Sequence, residues 1–158
     1  MNDQERFSEK GRGRYQHLDD LLSTTFNAIL RIEERSLRSK LTEGLTMSEV
    51  HTLVALGLYE ENPMNVVASR LGVTLATLTT AVNKLVEKGF IERRRSESDR
   101  RKVLIALSKK GRQAYRAHSL FHQKMINESL AGLTEEEVEV FARALGKVKA
   151  FFEQEGAS

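Results

Sequence analysis

The sequence predicts a mainly α chain with one small β-hairpin, and three observations carry that expectation. Apolar residues recur at helical spacing along most of the chain. One stretch, Phe90 to Leu107, instead pairs two short runs about a strongly charged tip. Gly72, Gly89 and Gly132 fall where the helical periods stop. At 158 residues with 40% hydrophobic content, the chain is long enough to bury one core and is expected to form one domain.

The elements follow in order. Met1 to Arg14 is charged and glycine-bearing, and residues 1–14 are expected to form a flexible arm. A long helix over 15–39 places Leu18, Leu21, Leu22, Phe26, Ile29 and Leu30 on one broad stripe, with Asp19 and Asp20 near its expected positive end. Asn62 and Pro63 read as the cap and first turn of a short helix carrying Ala68. Gly72 ends that helix in a turn that needs positive φ. Thr74 then caps a second helix, roughly 74–88. Val67, Leu71, Val73, Leu78 and Val82 are spaced so that the two short helices share a small core, which is the pattern of a helix-turn-helix.

The second helix separates its faces. Leu78, Val82, Leu85 and Val86 point inward, while Ala76, Thr77, Thr80, Asn83 and Lys84 point outward. Threonine is stiff at χ1 and a mediocre helix former, yet Thr74, Thr77, Thr79 and Thr80 crowd the first turns. Short hydroxyl and amide side chains near a helix N-terminus suit base edges and phosphates. Beyond Gly89, a strand leads into the tip Arg93, Arg94, Arg95, Ser96, Glu97, Ser98, Asp99, Arg100, Arg101 and Lys102, whose local charge is +4, and Val103, Ile105 and Leu107 return. Such a wing is too polar for core, and arginine's planar donors suit phosphates and narrow grooves. Residues 84–118 carry twelve Lys and Arg against four Asp and Glu, a charge of +8, while the remainder carries −5. The basic third is expected to face a polyanion.

The run Leu71–Gly111, LGVTLATLTTAVNKLVEKGFIERRRSESDRRKVLIALSKKG, resembles the MarR family of winged-helix transcription regulators. The resemblance implies a recognition helix over 74–88 in the major groove, with the arginine at Arg101 entering the minor groove and Asp99 holding it in place. The expected DNA contacts are Thr74, Thr77, Thr79, Thr80, Asn83, Lys84, Arg93, Arg95, Ser96, Asp99, Arg100, Arg101 and Lys102. The resemblance also implies one MarR-type domain over 15–158, with a winged helix-turn-helix over 46–107 and dimerisation helices over 15–39 and 109–158.

Two further helices complete the expected architecture. Ser108 caps one that runs to about Leu130, basic at first and apolar later. The last begins at the capping box Thr134 to Glu137 and repeats Val138, Phe141, Leu145, Val148 and Phe152 at spacings of three and four. That seam suits another helix; packing within the chain is one alternative, and in the MarR family the first and last helices interlock across a twofold axis. The expected partner is thus a second copy, gripping double-stranded DNA at a pseudo-palindromic operator. The runs GLTMSEVHTLVAL and VTLATLTTAVNKLVEKGFIERRRSESDRR are most similar to the subgroup that represses fatty-acid synthesis genes. That similarity implies an acyl chain on acyl carrier protein as corepressor.

The alternatives are a different small ligand or zinc. His118 and His122 lie one helical turn apart, and with His51 and Glu33 or Glu34 they could supply nitrogen and oxygen ligands. A zinc-sensing branch of the family is similar at these histidines, but an i, i+4 histidine pair on a surface helix is common and no cysteine accompanies it. The absence of cysteine also excludes disulfides, a thiolate nucleophile and thiol-based peroxide sensing. The chain carries no phosphate loop, HExxH or nucleophile elbow, so neither an enzyme nor a cofactor is expected. No apolar run approaches the roughly 18 residues of a membrane span and no signal region opens the chain, so a cytoplasmic location without membrane attachment is expected.

Overall fold

The computed structural model describes residues 9–37, 39–95 and 103–155. Six helices and three strands run in the order α1 (Glu9–Ser36), α2 (Met47–Leu56), β1 (Glu61–Pro63), α3 (Met64–Leu71), α4 (Leu75–Glu87), β2 (Ile91–Arg95), β3 (Val103–Leu107), α5 (Lys109–Leu130) and α6 (Glu135–Glu155) among those residues. The chain divides into two compact units that meet after His118. No single helix among the described residues is long and apolar enough to cross a membrane.

The core of the first unit gathers Val50, Leu53 and Leu56 from α2, Val67 and Ala68 from α3, and Leu78, Val82 and Leu85 from α4. Phe90, Ile91, Ile105 and Leu107 close it from the sheet, and Ala114 from α5. Gly72 ends α3 at φ 64°, the left-handed conformation expected of it, and its N–H bonds back to Ala68 and Ser69. Val73, expected inside, is 39% exposed because it sits in the turn, outside the register of either helix.

The expected hairpin is a three-stranded antiparallel sheet in the order β1-β3-β2. Ile91 pairs with Leu107 and Arg95 with Val103, while Asn62 pairs with Ile105. The expected alternation of Val103, Ile105 and Leu107 does not hold: β3 buries Ile105, Ala106 and Leu107 in succession, while Val103 at its outer end is exposed. Asn62 is therefore a strand residue, and Pro63 takes the N-cap position of α3 without a side-chain cap. The Asn62 amide is buried and donates from Nδ2 to the Leu56 carbonyl at 2.9 Å and to Glu60 at 3.0 Å. Proline is tolerated there because β1 is an edge strand.

α1 begins at Glu9, six residues before the expected start, and ends at Ser36. Asp19 and Asp20 consequently lie well inside the helix and not in its first turn. Residues 1–8 of the expected flexible arm lie outside the described residues, whereas residues 9–14 are helical.

In the second unit, α6 starts at a reciprocal cap: Thr134 N donates to Glu137 Oε2 at 2.8 Å, and Glu137 N to Thr134 Oγ1 at 3.3 Å. Val140, Phe141, Leu145, Phe151 and Phe152 are all exposed along that helix, each by about half.

Candidate nucleic-acid interface

α4 is held at both ends. Thr74 caps it by accepting from the Thr77 N–H at 3.1 Å, and the two hydroxyls lie 2.8 Å apart. At the other end Lys88 reaches across to α2, where its Nζ lies 2.8 Å from both oxygens of Glu49 and 2.7 Å from the Gly44 carbonyl. Glu49 also accepts from Thr46 N at 2.8 Å, closing a capping box at the start of α2. One carboxylate thus ties the start of α2 to the end of α4. The signal for it was the spacing Thr46 to Glu49, a capping box that the sequence displays.

Burial pushes the Glu49 carboxyl up, but Lys88 and the Thr46 amide outweigh it and hold the group below the ordinary carboxylate range. A group with a lowered folded pKa stabilises the fold above its unfolded pKa, and that contribution is lost as pH falls through the folded value. Glu49→Gln is expected to cost about 1.5–3 kcal/mol near neutral pH, the range for a hydrogen bond to a charged group. Urea midpoints measured from pH 7 to pH 3 should converge for wild type and variant on the acid side. A constant gap across that range would remove Glu49 as the titrating tie.

The outward face of α4 presents Thr77, Thr80, Asn83 and Lys84, all exposed, while Leu78, Val82 and Leu85 are buried. Thr79 stands half-buried on the flank. Its hydroxyl donates to Leu75 O at 2.7 Å, and that of Thr80 to Ala76 O at 3.2 Å. Each hydroxyl has one proton, so toward any further partner both are acceptors only. This side-chain bonding also explains how threonine is tolerated in a helix.

Successive arginines of β2 have different partners. Arg94 turns to Glu61 at 2.6 Å and Glu92 at 3.1 Å, which raise its pKa further. Arg93 instead donates to Asn83 Oδ1, linking the wing strand to α4. Arg95 is exposed at the end of β2. Ser96, Asp99, Arg100, Arg101 and Lys102 lie outside the described residues. The interface that can be drawn is therefore one helix face with the adjoining strand: Thr74, Thr77, Thr80, Asn83, Lys84, Arg93 and Arg95, flanked by Thr79.

A family model described as the MarR family matches residues 45–103, the span from the start of α2 to the start of β3. The transcriptional regulator BilQ of Clostridium symbiosum is 32% identical over 111 residues, 68% of this chain and 76% of the relative. The chain belongs to the MarR family. It is a DNA-binding transcriptional regulator of the MarR type and not an enzyme. Streptococcus pneumoniae FabT, solved in complex with DNA, matches with a TM-score of 0.80 and 39% identity over 89% of this chain and 98% of that one. The HTH-type transcriptional regulator MgrA of Staphylococcus aureus is 28% identical over 138 residues, 86% of this chain and 92% of the relative.

His51 and His118 meet edge to face with ring centroids 5.9 Å apart, and His118 is buried, not on a surface face as expected. His122 belongs to the second unit, where its ring meets Phe121. Among the described residues no group of three or more His, Asp or Glu could hold a metal ion.

Proposed function

We propose that this MarR-family chain represses fatty-acid synthesis genes from the cytoplasm, as a homodimer that reads a pseudo-palindromic operator and responds to an acyl chain carried on acyl carrier protein. The observation that carries the reading is the FabT match, which spans nearly all of that DNA-bound protein at 39% identity. The exposed polar face of α4 supports major-groove contact through Thr74, Thr77, Thr79, Thr80, Asn83 and Lys84, with Arg93 and Arg95 beside it. In this reading the wing tip, Ser96, Asp99, Arg100, Arg101 and Lys102, grips the narrow groove.

Exposed apolar residues on α1 and on α6 support dimerisation. On α1, Leu18, Leu21, Leu22, Phe26 and Leu30 are 42–61% exposed, and on α6, Phe141, Leu145, Phe151 and Phe152 are 46–59% exposed. Large apolar side chains left exposed along a helix in this way support an interaction face on each of the two helices. An acyl ligand acts by favouring one spacing of the paired recognition helices over another.

The test starts by recovering the promoter fragments bound by the protein in cells and continues with gel-shift titration on one of them. Long-chain acyl carrier protein is expected to tighten binding by about 5- to 150-fold, the usual span of allosteric coupling. Unchanged affinity, or fragments that hold no lipid-synthesis promoter, would overturn the fatty-acid reading while leaving the regulator itself intact.

A further inference from the structure

We infer that Arg93 is a positioning residue that fixes which end of the Asn83 amide is offered to DNA, so that Asn83 reads its base as a hydrogen-bond donor. The inference rests on α4 lying in the major groove, as proposed above. Asn83 is exposed on the outward face of α4, three residues beyond Thr80. Its amide has an acceptor end and a donor end, and with both ends available it can form the paired contact that recognises adenine.

Arg93 removes that freedom. A guanidinium has five N–H donors and no acceptor, so the group it meets on Asn83 has to be the carbonyl oxygen Oδ1. The amide flip is thereby set, and the Nδ2 hydrogens turn away from the wing strand. A positive charge beside Oδ1 also draws on its lone pairs and leaves it a poorer second acceptor. The neighbouring strand residues do not compete for the contact, because Arg94 is engaged by Glu61 and Glu92.

In the major groove, guanine presents N7 and O6, adenine N7 and thymine O4 as acceptors, whereas cytosine presents only its N4 donor. A donor-only Asn83 accepts guanine, adenine or thymine and rejects cytosine. The contact pairs a helix residue with a strand residue ten positions on, and it makes a base preference depend on a side chain that need not touch the base.

The experiment is binding selection from a library randomised across the operator, read for the full-length wild type and five variants. For the wild type, one symmetry-related pair of positions should disfavour cytosine by about tenfold, the usual cost of a mismatched position. Asn83→Ala should flatten that preference to near unity. Asn83→Asp keeps the partner of Arg93 but replaces the amine with a second acceptor, and it should reverse the preference toward cytosine. Arg93→Ala should narrow it to adenine, whereas Arg93→Lys, which still donates to Oδ1, should keep the wild-type profile. Thr77→Ala separates the two levels of the proposal. If it shifts base preference while Arg93→Ala shifts none, the positioning role fails and the major-groove reading stands; if no α4 variant shifts any position, both fail. Adenine alone under Asn83 in the wild type would also overturn the inference.

Discussion

Gly111→Ala is expected to destabilise the first unit more than any other single methyl added to the described glycines. A Cβ built at Gly111 would lie 2.1 Å from the Phe90 carbonyl oxygen, 3.1 Å from its carbon and 3.3 Å from Leu107 Cδ2. The obstacle is backbone, so no rotamer relieves it. That backbone is fixed in turn: Phe90 O accepts from Ser108 N at 3.0 Å, and Ser108 Oγ donates to Gly89 O at 2.6 Å while accepting from Gly111 N at 3.0 Å. Lys110 adds a bond to Lys88 O at 3.0 Å and sits 4.1 Å over the Phe90 ring. The start of α5 is thus bolted to the base of the wing, and alanine has to pry them apart. Overpacking costs about 1–3 kcal/mol where side chains can yield, and about 3 kcal/mol or more is expected here. For a chain of this size the thermal midpoint should fall by about 6–12 °C or more. A fall of only a degree or two would show that α5 is free to slide on the wing base.

Leu78→Ala is the second large effect. Leu78 is 1% exposed and is the first inward residue of α4, packed in the core that α2, α3 and the sheet share. Truncation removes apolar contact and leaves a cavity, for a cost of about 2–5 kcal/mol. Leu75, on the same helix, is 52% exposed, and Leu75→Ala is expected to leave stability within about 0.5 kcal/mol of wild type. Leu78→Met, which conserves volume, should cost less than about 1.5 kcal/mol. Denaturant midpoints for the three variants check the ranking; equal costs for Leu75→Ala and Leu78→Ala would contradict the assignment of faces on α4.

The comparison of those two leucines shows why α4 was legible in the sequence. Its caps and its inward period are local properties, and Thr74, Leu78, Val82 and Leu85 sit as their spacing implied. β1 was not legible: Glu-Asn-Pro has neither alternation nor strand-forming residues, and it becomes a strand only because β3 offers it a free edge. The early start of α1 escaped for a related reason, since no apolar period precedes Tyr15 and two glycines argue against a helix there. Val73 was misplaced because a turn interrupts the register in which it was counted. In the interface, residue types were legible but their commitments were not. That Thr79 and Thr80 spend their protons on the helix, that Arg94 is taken by Glu61, and that Arg93 holds Asn83 all depend on side-chain rotamers and on a strand folding back over ten residues.

The measurement that bears most directly on the central claim is the mass and affinity of the protein–operator complex. Sedimentation of full-length protein with a recovered promoter fragment should give two chains per duplex, and footprinting should place two protected half-sites about one helical turn, roughly 34 Å, apart. Operator should bind at least about a thousandfold tighter than random duplex at physiological salt. One chain per duplex, or equal affinity for operator and random DNA, would contradict a twofold reader whose α4 helices and wings grip adjacent grooves.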